Sequence, residues 1–139
     1  MLMTLFSVGC TGNGNSAPPG LSNGRLAPCP ASPNCVSTET EDPEKRMEAL
    51  AFSSDLKQSK EKILGIIREM PRTEVLENRE EYIHATFTSA LFRFVDDVEF
   101  YFDQTSKTIH FRSASRTGYS DLGANRKRMS RISELYLNN

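Results

Sequence analysis

The chain has 139 residues, which suits one domain and a tail. A net charge of −1, with 25% charged residues, provides no global field that would draw it to nucleic acid or to a membrane. Charge is uneven along the chain, however: Glu39 to Glu48 balances to −3, whereas Arg112 to Arg131 carries six basic residues against Asp121 alone. Such runs are ordinarily solvated faces.

Met1 to Gly9 is small and apolar. The run Leu5-Phe6-Ser7-Val8-Gly9-Cys10 resembles the end of a bacterial lipoprotein signal with its lipobox, in which the cysteine carries the lipid. Ser7 stands where lipoboxes favour Leu, and no Lys or Arg precedes the run. The expectation is a truncated signal over residues 1–10 with Cys10 as the lipidation site; a frayed terminus is the plain alternative. Nothing else approaches the about 18 apolar residues of a membrane span. Residues 11–25 are rich in Gly, Asn, Ser and Pro, with Leu21 their one large apolar side chain, and read as a flexible tether. A single domain over residues 26–139 follows. The expected location is the cell envelope, lipid-anchored. Thr11, where enteric-type inner-membrane retention uses Asp, points to the outer membrane.

Cys29 and Cys35 enclose Pro-Ala-Ser-Pro-Asn. In an oxidising compartment the default is a disulfide, and closing so short a loop stabilises by roughly 2 kcal/mol. A redox pair normally has two intervening residues, and a metal site lacks partners, since the two histidines, His84 and His110, lie far away in sequence.

Met47 to Phe52 reads as a short leading strand. Ser53 or Ser54 is positioned to cap a helix from Asp55 to Met70, whose Leu56, Ile63, Leu64 and Ile67 recur at helical spacing and which Pro71 stops. Four strands follow: Arg72 to Glu77 as an edge, Tyr82 to Ala90, a run around Val98 to Phe102, and one around Ile109 to Arg112. Pairing Asp103 with Thr108 sets Phe102 opposite Ile109, Phe100 opposite Phe111, Tyr101 opposite His110 and Glu99 opposite Arg112. One register thus satisfies both faces. A final helix spans Asp121 or Leu122 to Leu137, capped by Ser120 or Asp121, with Leu122, Met129, Ile132 and Tyr136 on its apolar stripe. The predicted fold is α+β: an antiparallel sheet of about four strands with an N-terminal and a C-terminal helix packed on it in two layers.

Three segments carry a resemblance: Pro-Cys-Pro-Ala-Ser-Pro-Asn-Cys-Val-Ser over residues 28–37, Phe-Arg-Phe-Val-Asp-Asp-Val-Glu-Phe over 92–100, and Arg-Ser-Ala-Ser-Arg-Thr-Gly-Tyr-Ser-Asp-Leu-Gly-Ala-Asn-Arg-Lys-Arg over 112–128. In this order they resemble the uncharacterised family catalogued as a domain of unknown function, fourteen ninety-nine in its series. Its members are small exported bacterial proteins, often lipoproteins, with relatives in plastids. The resemblance runs from about Leu26 to Tyr136. It implies no activity and supplies no catalytic residue.

Candidate chemistry therefore comes from the residues. Asp97, Glu99, Arg112, Arg116, Tyr119, Asp121, Asn125 and Arg126 gather where a strand hands over to a helix. Gly118 and Gly123 permit backbone turns there, and a helix N-terminus with flanking arginines is a ready anion site. The same residues equally make an internal Arg–Asp lattice, with Glu99–Arg112 as its first bond. Asp96 and Asp97, adjacent on a strand, should point to opposite faces, a poor arrangement for a shared acid/base pair. Ser113, Ser115 and Ser120 lack a nearby His and a nucleophile elbow. A metal held by His84, His110 and a carboxylate is a further arrangement, and no cofactor fingerprint is present. Two functional expectations follow: a lipid-anchored envelope module holding an anionic ligand or a partner protein at the Arg112–Arg128 junction, or a small envelope hydrolase using Asp96 or Asp97 with Arg112 or Arg116. Neither calls for nucleic acid.

Overall fold

The computed structural model describes residues 17–139, so Cys10 and Thr11 lie outside the described residues. The fold is α+β. Its elements in chain order are β1 (Leu21–Ser22), β2 (Arg25–Leu26), β3 (Cys35–Ser37), β4 (Leu50–Ala51), α1 (Leu56–Glu69), β5 (Thr73–Arg79), β6 (Tyr82–Thr88), β7 (Val95–Asp103), β8 (Thr108–Ser115) and α2 (Ala124–Asn138). The main sheet has six strands, not four. It runs β3-β8-β7-β6-β5, with β4 also pairing β8, and every pairing is antiparallel. The two additional members are β3, formed by the residues around Cys35, and the leading strand β4. They share one edge of β8, which they meet at opposite ends.

The β7–β8 register is the expected one, from Asp103 opposite Thr108 to Glu99 opposite Arg112. Asp103 closes the connecting loop by accepting from the N–H groups of Thr105 and Ser106. Alternation then sorts the side chains by face. Ile83, Phe100, Phe102, Ile109 and Phe111 share one buried core with Ile63 and Ile67 of α1 and with Met129 and Ile132 of α2, so both helices cover this face.

Helix α1 is capped by Asp55, not by Ser53 or Ser54: the Asp55 carboxylate accepts from Gln58 N–H at 2.8 Å. At α2 the cap residue is Gly123, in the left-handed region at φ 79°. Asp121 nonetheless serves the helix start, accepting from the N–H groups of Gly123 and Asn125 at 2.8 and 3.0 Å. Leu122 does not join the helical stripe. It precedes the helix and is 86% exposed.

The opposite face of the sheet is also covered. Asn23 and Gly24 both have positive φ, as a two-residue hairpin turn requires, and they fold β1 onto β2. This hairpin lies over the sheet: a side chain at Gly24 would come within 3.7 Å of the Tyr101 hydroxyl, and Gly20 N–H donates to Glu99 at 2.7 Å. Residues 17–25, the described part of the expected tether, are therefore tied down on the domain. Cys29 and Cys35 form the expected disulfide. Among the described residues, no helix is long and apolar enough to cross a membrane.

Candidate functional site

The structure distributes the expected site residues among three places. The first is the middle of the outer face. Glu99 and Arg112 are both fully buried and meet at 3.1 Å. Glu99 also accepts from Tyr82 O–H and Gly20 N–H, each at 2.7 Å. The Arg112 guanidinium donates to the carbonyls of Ala17 and Pro28, both at 3.3 Å. Burial, and then the hydrogen bond to Glu99, push the Tyr82 hydroxyl well above its ordinary range. Hairpin, strand and loop thus close over one charge pair, and Arg112 is spent inside the fold.

The second place is further along the same face. Asp97 accepts from His84 Nε2 at 2.7 Å and from Arg116 through two N–H groups at 2.8 and 2.9 Å. Burial alone would raise the Asp97 carboxyl. The hydrogen bonds from His84 and Arg116, together with the guanidinium charge, outweigh it and hold the group at about 2. The Arg116 side chain remains 47% exposed. The other histidine, His110, stacks on Tyr101 and bonds Thr38, so the two histidines serve different partners. Among the described residues, no group of three His, Cys, Asp or Glu is placed to hold a metal ion.

The third place is the helix-covered face at the same end of the sheet. Asp96 points there, opposite to Asp97, and accepts from Arg128 at 2.7 Å. Arg128 also donates to Asn125 and Ser113 and lies 4.9 Å over the Phe87 ring. Asn125, fully buried, accepts from Ser113 O–H and donates to Ser115, to Asp121 and to the Asn34 carbonyl. Asn34, held in the disulfide loop, reaches across to the Gly118 carbonyl at 2.7 Å, and its own carbonyl also accepts from Ser115 N–H. Arg126 takes no part: it donates to the carbonyls of Glu44 and Arg46. Tyr119 is 74% exposed and has no role in this network.

This network is the floor of a cleft of about 290 Å³ between residues 89–94 and the turn that leads from β8 to α2. Asp96, Ser115 and Arg128 lie at its base; Leu91, Phe92, Phe94 and Leu122 form its walls. All four are exposed, Leu91 by 80% and Phe92 by 71%, and the Phe92 and Phe94 rings sit 5.8 Å apart. With Tyr119 they make five of the seven large apolar residues exposed among the described residues. The backbone here is strained as well. Arg93 and Leu122, one in each loop, hold φ 56° and 53°. A bulky residue with positive φ is uncommon, although Arg72 and Lys107 hold the same conformation in turns away from the cleft.

Sequence reasoning missed this cleft. The signal was available in Leu91-Phe92-Arg93-Phe94, an apolar run between two strands where polar turn residues are the rule. It also missed Asn34, which was read only as part of a disulfide loop. All three segments noted in the sequence meet here: the first supplies Asn34, the second Phe92 to Asp96, and the third the turn and the start of α2.

A larger cleft, of about 500 Å³, lies between the β1–β2 hairpin and residues 37–41. Two of its three charged groups are occupied by the fold itself: Arg25 donates to the Glu39 carbonyl and the Glu39 carboxylate accepts from Leu26 N–H.

Fold and cleft together define a small disulfide-linked α+β domain with an apolar cleft on a polar scaffold. The chain belongs to the family described as protein of unknown function (DUF1499), whose model matches residues 25–135. No curated protein and no solved structure matches it.

Proposed function

We propose that the protein is a binding module of the cell envelope, held to a membrane by a lipid on Cys10, with the cleft walled by Leu91, Phe92, Phe94 and Leu122 as its binding surface. The observation that carries this reading is the gathering of large exposed apolar side chains around one scaffolded cleft. Contiguous exposed apolar surface marks interaction sites. The ligand chemistry is apolar more than anionic, because Arg112, Arg116 and Arg128 are each engaged by a carboxylate. The envelope location rests on the lipobox-like Val8-Gly9-Cys10 and on the Cys29–Cys35 disulfide, a bond that persists in oxidising compartments. The outer membrane is the proposed membrane, from Thr11 after the lipid-bearing position.

The hydrolase reading has less support. Asp96 and Asp97 face opposite sides of the sheet and bind different arginines, and an Asp97 carboxyl held at about 2 is a feeble base near neutral pH. A photo-crosslinking residue placed at Phe92 should give discrete adducts in living cells. The same residue at Leu76, exposed on β5, should give none. Equal labelling from both positions would remove the reading.

A further inference from the structure

We infer that the occupant of this surface is an anionic lipid bilayer, with the two loops dipping into its headgroup region. The inference rests on the binding reading above and names its partner.

Three observations carry it. The first is the shape of the apolar surface. Leu91 and Leu122 are 80% and 86% exposed, at the tips of two separate loops. Side chains so free offer little concave seat for a rigid partner, but a fluid needs none. Phe, Leu and Tyr are residues that lie at the boundary between headgroups and acyl chains.

The second is charge. Arg93 and Lys127 are exposed near the tips and have no acidic partner among the described residues. Asp96 and Asp97 are neutralised by Arg128 and Arg116, and Asp121, which accepts from the N–H groups of Gly123 and Asn125, is the one acid left at the turn. Two unpaired cations, Arg93 and Lys127, against the one carboxylate of Asp121 leave the rim with a balance of about +1, although the whole chain has a net charge of −1. Anionic headgroups complement such a rim.

The third is chain length. Seven peptide units join Cys10 to Ala17, a reach of at most about 25 Å. Ala17 is fixed at Arg112, three residues before the end of β8, on the face of the sheet opposite the cleft. A lipid on Cys10 would keep this point of β8 within that distance of the bilayer, and the loops lie beyond the same end of the strand. Two weak attachments then act as one, because the second is intramolecular.

The chain contains no tryptophan, so Phe92→Trp gives a single reporter. The full chain carrying Cys10→Ser, which removes any acyl group, is mixed with vesicles of equal parts phosphatidylglycerol and phosphatidylcholine, or of phosphatidylcholine alone. The reporter emission should shift to the blue with the anionic vesicles only, and the unlabelled chain should sediment with them. The pair Phe92→Ser and Leu122→Ser should lower this partition about tenfold or more. Lys127→Gln should lower it about fivefold, and Leu76→Ser should leave it unchanged. The inference is overturned if the chain stays in the supernatant with anionic vesicles, or if the Ser pair sediments as wild type does. In either case protein adducts from the Phe92 crosslinker would preserve the binding module and reassign its partner. Absence of adducts as well would remove both.

Discussion

Arg112 and Leu122 stand on either side of one turn and are treated in opposite ways. The arginine is fully buried and the leucine is 86% exposed. Arg112 sits mid-strand, where the β1–β2 hairpin closes over it and Glu99, Ala17 and Pro28 accept from its two terminal nitrogens. Leu122 sits in a left-handed backbone position just before α2, with its side chain in solvent. Of the basic run that marks this segment in the sequence, Arg112 is buried, Arg116 and Arg128 are paired with carboxylates, and Lys127 and Arg131 stay exposed. Beside these cations the segment offers the large apolar side chains of Tyr119 and Leu122 to the outside. A buried charge tolerates no loss of its partner, whereas an exposed apolar side chain contributes little to the fold it is attached to.

The widest gap between the two regions should appear in Arg112→Ala. It leaves Glu99 buried beside a void, and denaturant melts should show a loss of about 3–5 kcal/mol. A loss below about 1 kcal/mol would mean that water reaches the pair and would erase the contrast.

Next in size is Asp97, which sharpens the comparison by pH. Its carboxyl lies at about 2 in the folded chain against an ordinary 3.8. A depressed carboxylate stabilises above its unfolded value and loses that stabilisation as pH falls through its folded one. The contribution should be about 2 kcal/mol above roughly pH 4.5 and should fade between pH 4 and pH 2. Urea melts of wild type and Asp97→Asn should converge over that window; a gap that stays constant down to the lowest pH would contradict the arrangement.

Arg116 shares Asp97 but is half exposed, so Arg116→Ala should cost about 1 kcal/mol or less. A loss as large as that of Arg112→Ala would place Arg116 in the interior lattice, not at the rim.

The parts of this picture that were legible in the sequence are those set by local periodicity. The β7–β8 register followed from alternation alone, as did the opposite facing of Asp96 and Asp97, because side-chain direction in a strand has period two. Both helices and the Cys29–Cys35 disulfide were equally readable. Less readable was everything fixed by distant contact. Strand β3 is three residues long and exists because β8 offers it an edge. The Asn23-Gly24 turn signal was present, but its flanks are only two residues each and read as tether. Leu122 fitted the helical stripe by spacing, yet the helix starts after Gly123, which moves Leu122 out into solvent. The cleft draws on residues from Asn34 to Arg128, and no local pattern reports such a meeting.

The smallest expected effect is also the most direct test of the contrast, and it lies in the sign of one number. Left-handed backbone burdens a leucine but suits an asparagine, and the Leu122 side chain has little packing to lose. In urea melts, Leu122→Asn should match wild type or exceed its stability by about 0.5–1 kcal/mol. That outcome would show an apolar group held outside at the expense of the fold, as expected of a binding surface. A loss of more than about 1 kcal/mol would show instead that Leu122 belongs to the core's own packing, and that the cleft is part of the fold and not a surface kept for a partner.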